Sequence, residues 1–147
     1  MVKLLILNGP NLNLLGNRLP EIYGALTLKQ LQQQLAQYVQ THHPQFTLTC
    51  LQANCEGALI DALQAARLDC AGVVFNPAAY THYSYALRDA IEAIAIPVVE
   101  VHLTDIDQRE DFRSISVVRE VCAAHFQGRG LQSYTDAIDY LAERKPS

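Results

Sequence analysis

No apolar stretch in this 147-residue chain approaches the roughly 20 residues needed to cross a bilayer, which excludes a membrane-spanning helix. The opening run Leu4-Leu5-Ile6-Leu7 stops at Asn8-Gly9-Pro10, too short for a signal-peptide core and without a small-residue cleavage site, so a cytoplasmic protein is expected. Lysine is scarce. Lys3 opens the first apolar run, Lys29 lies near a helix start and Lys145 sits in the tail, so none suits Schiff-base chemistry, which needs a desolvated amine. None of the four cysteines, Cys50, Cys55, Cys70 and Cys122, forms a C-x-x-C pair, which argues against a zinc or redox motif; Cys50, Cys70 and Cys122 lie in apolar runs and read as reduced core residues. A net charge of −4 and a pI of about 5.6 argue against a nucleic-acid surface. Neither G-x-x-x-x-G-K-[ST] nor G-x-G-x-x-G occurs, so no phosphate-binding loop is encoded. Repeats and low-complexity segments are also missing.

What is present suits a single globular domain over residues 1–147, with 50% apolar and 18% charged residues. Continuous apolar runs at 2–8, 47–53, 70–76 and 97–103 read as strands covered on both faces. A shorter strand is expected from Ala123 to Gln127. Between them, helical spacing places Leu28, Leu31, Leu35 and Val39 on one stripe behind a Thr27 cap, in a helix running to about His42. Similar spacing predicts helices over 57–68, 81–94 and Ser133 to Arg144. Alternating strands and helices build right-handed βαβ units, so the expected fold is α/β: a flavodoxin-like three-layer sandwich with a five-stranded parallel sheet flanked by helices. Ligands bind such sheets beyond the carboxyl ends of the strands. Those ends read Asn8, Asn54, Asn76 and His102, a polar convergence that packing alone does not explain and that points to a small-molecule site.

Three segments carry side chains suited to chemistry. The long loop after the first strand runs through Asn11, Gly16-Asn17-Arg18 and Tyr23-Gly24; its turn formers fit a surface loop, but its length fits a functional lid. The second, Asn76 to Ser84, leads into a helix bearing Arg88 and Asp89. Asn76 and the helix start can bind hydroxyls or a carboxylate, while Thr81 or Ser84 serves equally as a cap and Asp89 as a solvated charge. In the third, strand alternation puts Glu100 and His102 on the same side, and a carboxylate beside an imidazole fixes its tautomer, which makes His102 a candidate acid or base.

These stretches, Leu7 to Leu12, Gly16 through Gly24, Gln52 to Asp61, Asn76 to Asp89 and Glu100 through Arg113, together resemble type II 3-dehydroquinate dehydratase in order and spacing. The resemblance implies reversible anti dehydration of 3-dehydroquinate to 3-dehydroshikimate through an enolate, in the shikimate pathway, with no metal, cofactor or Schiff base. Tyr23 matches the proton-abstracting base, Arg18 the arginine that helps ionise it and stabilises the transition state, and His102 the proton donor to the leaving hydroxyl. Glu100 would orient and charge His102, and Asn11 would help stabilise the enolate oxygen, through a water. Asn76, His82, Asp89 and Arg113 match substrate-binding positions, and Leu103 and Thr104 the pair whose backbone holds the substrate carboxylate. Ionising a free tyrosine at pH 7 costs about 4 kcal/mol, and a neighbouring arginine lowers a pKa by roughly 1–3 units, so Arg18 can supply much of the difference.

The sequence departs from the family pattern at Asp105, where Asn is usual, at Asp107, where His is common, and at Cys55, where His is usual. The stretch 124–130 keeps only the last two glycines of a glycine-richer segment. Asp105 adds negative charge near the carboxylate-binding turn, which would weaken substrate affinity. The family assembles as trimers stacked into a homododecamer, and the segment 54–56 falls at a trimer contact in the resemblance. No nucleic-acid or membrane partner is implied. Two other readings remain: a non-catalytic flavodoxin-like module binding a nucleotide or flavin, and a metal-dependent hydrolase built on His82 and His102 with Glu100 and Asp89.

Overall fold

The computed structural model describes residues 1–17, 21 and 25–144. Five parallel strands form one sheet: β1 (Val2–Asn8), β2 (Phe46–Gln52), β3 (Cys70–Asn76), β4 (Val98–His102) and β5 (Ala124–Gln127), in the order β2-β1-β3-β4-β5. The α-helices among the described residues are α1 (Leu28–His42), α2 (Glu56–Asp69), α3 (Tyr85–Ile94) and α4 (Leu131–Glu143). This is the flavodoxin-like order, in which the chain reverses its direction of travel between β1 and β3.

Why the strand runs are continuously apolar follows from the layers. Leu4 and Ile6 of β1 and Val74 of β3 face one side, where they meet Leu31 and Leu35 of α1 and Ala137 and Ile138 of α4. Leu5, Leu7, Val73 and Phe75 face the other, against Leu59 and Leu63 of α2 and Leu87 and Ile91 of α3. Both faces of the central strands are dry, so alternation of polar and apolar residues is absent. β2 is the edge strand, and its side chains are mostly half-buried.

The helix starts carry the expected chemistry in part. The Thr27 hydroxyl accepts from the Gln30 N–H while the Gln30 side chain accepts from the Thr27 N–H, a complete capping box. The helix expected over 81–94 is interrupted. A 3-10 helix occupies Ala78–His82, Tyr83 leaves helical geometry, and α3 begins only after Ser84, whose Oγ accepts from the Leu87 N–H. The cause is tertiary. The Thr81 carbonyl accepts the N–H of Val117, and its hydroxyl donates to Glu100, so neither serves an α-helical turn. The expected fifth strand and the last helix appear with shifted ends, at 124–127 and 131–143. Cys50, Cys70 and Cys122 pack against the two cores but are half-buried rather than enclosed; Cys55 is exposed, and all four are free thiols. No helix among the described residues is long and apolar enough to cross a membrane.

Candidate active site

The carboxyl ends of β1, β3 and β4 open onto a cleft enclosing about 510 Å³, counting the open solvent at its mouth. It lies where the strand order reverses, the position at which doubly wound sheets bind ligands. Pro10, Asn11 and Leu12 follow β1, Asn76 ends β3 with Ala78 and Ala79 beyond it, and His102 ends β4 with Leu103 and Thr104 beyond it. His82 and the guanidinium-bearing Arg109 and Arg113 complete the wall. Its two arginines favour an anionic ligand.

The close approach of the β1 and β3 loops depends on Gly9. Its N–H donates to the Asn76 carbonyl at 2.8 Å, and a Cβ there would meet the Pro77 carbonyl oxygen at 2.7 Å. Asn11 and Ala78 both hold left-handed backbone, at φ of 69° and 54°. Asn tolerates this conformation, whereas Ala pays a steric penalty, so Ala78 stores strain in the cavity wall. Asn11 is fixed from outside: its N–H donates to Asn54 Oδ1 at 3.1 Å.

On β4, Glu100 and His102 share the side facing α2 and α3, as alternation requires. Glu100 is fully buried and His102 is 6% exposed. His102 Nε2 lies 2.6 Å from Glu100 Oε2. The carboxylate also accepts from the hydroxyls of Thr81 and Ser116, the latter at 2.9 and 3.0 Å. Burial pushes the Glu100 pKa upward, but donation from His102, Thr81 and Ser116 outweighs it and holds the carboxyl below the ordinary glutamate value. An ionised carboxylate only accepts, so His102 Nε2 carries the hydrogen and Nδ1 is the nitrogen left to the cleft. His82 is set the other way round. Its Nδ1–H donates to the Ile115 carbonyl at 2.7 Å, and burial lowers its pKa, so a neutral ring presents Nε2.

Residues 2–142 match the family described as Dehydroquinase class II. A 3-dehydroquinate dehydratase of Bacillus pumilus is 52% identical over 141 residues, covering 96% of this chain and 95% of the relative. The crystal structure of a type II dehydroquinase from Butyrivibrio crossotus superposes with a TM-score of 0.93 at 43% identity, covering 97% and 98% of the two chains. One from Propionibacterium acnes gives 0.93 at 36% identity, covering 98% of each. The chain belongs to the class II dehydroquinases.

Of the side chains that the sequence nominates, this dehydroquinase gathers Asn11, Asn76, His82, His102, Leu103, Thr104 and Arg113 around one cleft, with Glu100 buried directly behind His102. Asp89 stands apart, exposed on α3 and outside the cleft. Arg18 and Tyr23 lie outside the described residues. Asn8 and Asn54 do not line the cleft; they brace it, Asn54 by holding Asn11 and Asn8 by accepting the Tyr134 hydroxyl at 2.6 Å. His82 and His102 share the wall, but among the described residues no group of three or more His, Cys, Asp or Glu side chains is placed to hold a metal.

Sequence reasoning missed Tyr134, Ser116 and the structural role of Thr81. Tyr134, wholly buried in α4, accepts from Asn76 Nδ2 at 2.9 Å and donates to Asn8, clamping the ends of β3 and β1 together. Burial raises its pKa, so it stays a phenol. No local pattern marks these residues, because each acts on a partner distant in the chain. Asp105 is also absorbed by the fold. It caps a 3-10 turn by accepting the Asp107 N–H and accepts Gln127 Nε2 at 2.9 Å, so its charge has donors of its own beside the Leu103-Thr104 turn.

Proposed function

We propose that this dehydroquinase removes water from 3-dehydroquinate to give 3-dehydroshikimate, reversibly and with anti stereochemistry, as a lyase of the shikimate pathway leading to aromatic amino acids. The observation that carries the reading is the buried, ionised Glu100 against His102 at the wall of a cleft ringed by arginines. A carboxylate that holds Nε2 leaves Nδ1 to donate a proton to the leaving hydroxyl when the ring is protonated. Tyr23, ionised with the help of Arg18, removes the proton next to the ketone, and the resulting enolate oxygen is stabilised by Asn11 through a water. Asn76, His82 and Arg113 bind the substrate hydroxyls and charge, and the backbone of Leu103 and Thr104 holds its carboxylate. The chemistry needs no metal, cofactor or imine, since the enolate forms directly.

The chain acts as a single catalytic domain over residues 1–147, in the cytoplasm, and assembles into a homododecamer built of trimers. Asp89 supports assembly. Exposed on α3 and outside its own cleft, it binds substrate only when a second copy of the chain receives it. A flavodoxin-like flavin or nucleotide module is not favoured by the family match.

The test follows ultraviolet absorbance on mixing 3-dehydroquinate with purified protein, since the product is a conjugated enone. Absorbance is expected to rise with wild type, to persist in EDTA and to collapse in Tyr23→Phe. An inactive wild type removes the dehydration, and a Tyr23→Phe variant that keeps most of the rate removes the tyrosine base.

A further inference from the structure

Glu100 has a cationic neighbour besides the His102 ring that the dehydration scheme does not use. Arg119 Nε lies 3.9 Å from Glu100 Oε1, while His102 occupies Oε2. That Nε is buried and makes no hydrogen bond. The guanidinium is nevertheless held: Nη2 donates to Gln127 Oε1 at 3.0 Å, and the Arg119 backbone N–H donates to Ser116 Oγ at 3.2 Å. Gln127 is held in turn, its Nε2 donating to Asp105 Oδ1 at 2.9 Å and to Asp107 Oδ2 at 3.1 Å. Two carboxylates therefore orient an amide, and the amide fixes a cation beside the buried glutamate. Asp105, Asp107 and the stretch containing Gln127 are three of the places, Cys55 being another, where the sequence departs from the pattern of the family it resembles, and the structure joins these three in one network.

We infer that Arg119 is a positioning residue that sets the charge balance of the Glu100–His102 pair. One carboxylate serves an imidazole on one oxygen and faces a guanidinium on the other. A nearby cation offsets part of the negative potential that favours a protonated ring. Arg119 thus counterweights Glu100, so that His102 is oriented by the carboxylate yet still releases its proton to the leaving group. The catalytic consequence rests on the dehydration reading; the electrostatic coupling does not. Other titratable groups are coupled to the pair from the elements around it: His82 from the 3-10 turn, Cys122 before β5 and His125 on β5, with Arg113 acting on His82 and Asp107 on His125 in turn. A substitution confined to Arg119 removes none of these groups.

The experiment compares wild type, Arg119→Gln and Arg119→Lys by imidazole nitrogen and proton NMR of His102 against pH, together with kcat and KM against pH. Arg119→Gln is expected to move the His102 titration midpoint and the alkaline limb of kcat up by about half a pH unit or more. It should change kcat at neutral pH by no more than about threefold, with KM little changed. Arg119→Lys should restore the wild-type midpoint, because it keeps the charge. If both variants keep the wild-type midpoint, or both shift it equally, the inference is overturned and Arg119 only packs. Should Arg119→Gln fail to fold, Gln127→Met carries the test: by loosening the guanidinium it moves the midpoint in the same direction by less, and an unmoved midpoint overturns the inference. A wild type that turns over no 3-dehydroquinate removes the dehydration reading, while the NMR midpoints still decide the role of Arg119.

Discussion

Glu100 shows how one residue joins stability to chemistry. Its carboxyl is held below the ordinary glutamate value, so its ionised form stabilises the fold above the unfolded pKa, and that contribution is lost as pH falls through the folded value. Glu100→Gln removes the charge while keeping the shape. The variant is expected to be less stable at pH 7 by about 3 kcal/mol, with a flatter dependence of urea-unfolding free energy on pH below about 4.5. It should also lose roughly a hundredfold in kcat, because His102 is no longer held in one tautomer. A variant whose stability falls with acid as steeply as wild type would place the acid-sensitive charge elsewhere. Ala78 predicts the opposite sign. Its φ of 54° suits glycine, so Ala78→Gly should relieve strain and gain up to about 1 kcal/mol, read as a rise in Tm. The Glu100–His102 pair was legible because both partners lie on one short strand, where alternation alone places them together. The clamp of Tyr134 on Asn8 and Asn76 was not, because a buried tyrosine in an amphipathic helix looks like any core aromatic until the strands are assembled.

Among the elements, α1 was readable and the start of α3 was not, and the contrast lies in where the hydrogen bonds go. The capping box at Thr27 closes within the first turn, so the sequence carries both of its partners. The segment before α3 has helical spacing but gives its hydrogen bonds away: the Thr81 carbonyl serves Val117, its hydroxyl serves Glu100, and the helix restarts at a new cap. That break lets the 3-10 turn line the cleft with His82 while Thr81 lies beneath it. Ser84 does double duty there, since its Oγ accepts from the Leu87 N–H and donates to Glu56 Oε2 in the first turn of α2. Ser84→Ala should cost about 1–2 kcal/mol in denaturant unfolding. Replacement by Thr, which keeps the hydroxyl, should recover most of it. Equal losses for both would mean that burial of the small side chain matters and the cap does not. β2 differs from its expected bounds by one residue for a related reason. The Phe46 N–H donates to the His43 carbonyl, and Phe46 enters the sheet opposite Val2, a pairing that β-branched composition beginning at Thr47 does not announce.

For the whole molecule, the question is what completes the cleft. Asp89 and Tyr85 lie one turn apart on α3 and both are exposed, Tyr85 at 66%. Tyr83, Phe112 and Ile115 are each 58% exposed, and Phe112 and Ile115 contact His82, a residue of the cleft wall. Large apolar side chains left in water beside a cleft suit a surface that another molecule covers, and the proposed assembly would cover it with another copy of the chain. If Asp89 acts in a neighbouring cleft, a working site combines Tyr23 from one chain with Asp89 from another. Tyr23→Phe and Asp89→Ala should each be nearly inactive alone. Unfolded together and refolded as a mixture, they should regain a sizeable fraction of wild-type rate, because some clefts then pair an Asp89→Ala chain's Tyr23 with a Tyr23→Phe chain's Asp89. Mixing the folded proteins without exchange of chains should recover nothing. If co-refolding yields mixed oligomers by mass spectrometry yet no activity, Asp89 serves its own chain, and the exposed aromatic surface has a purpose other than completing the site.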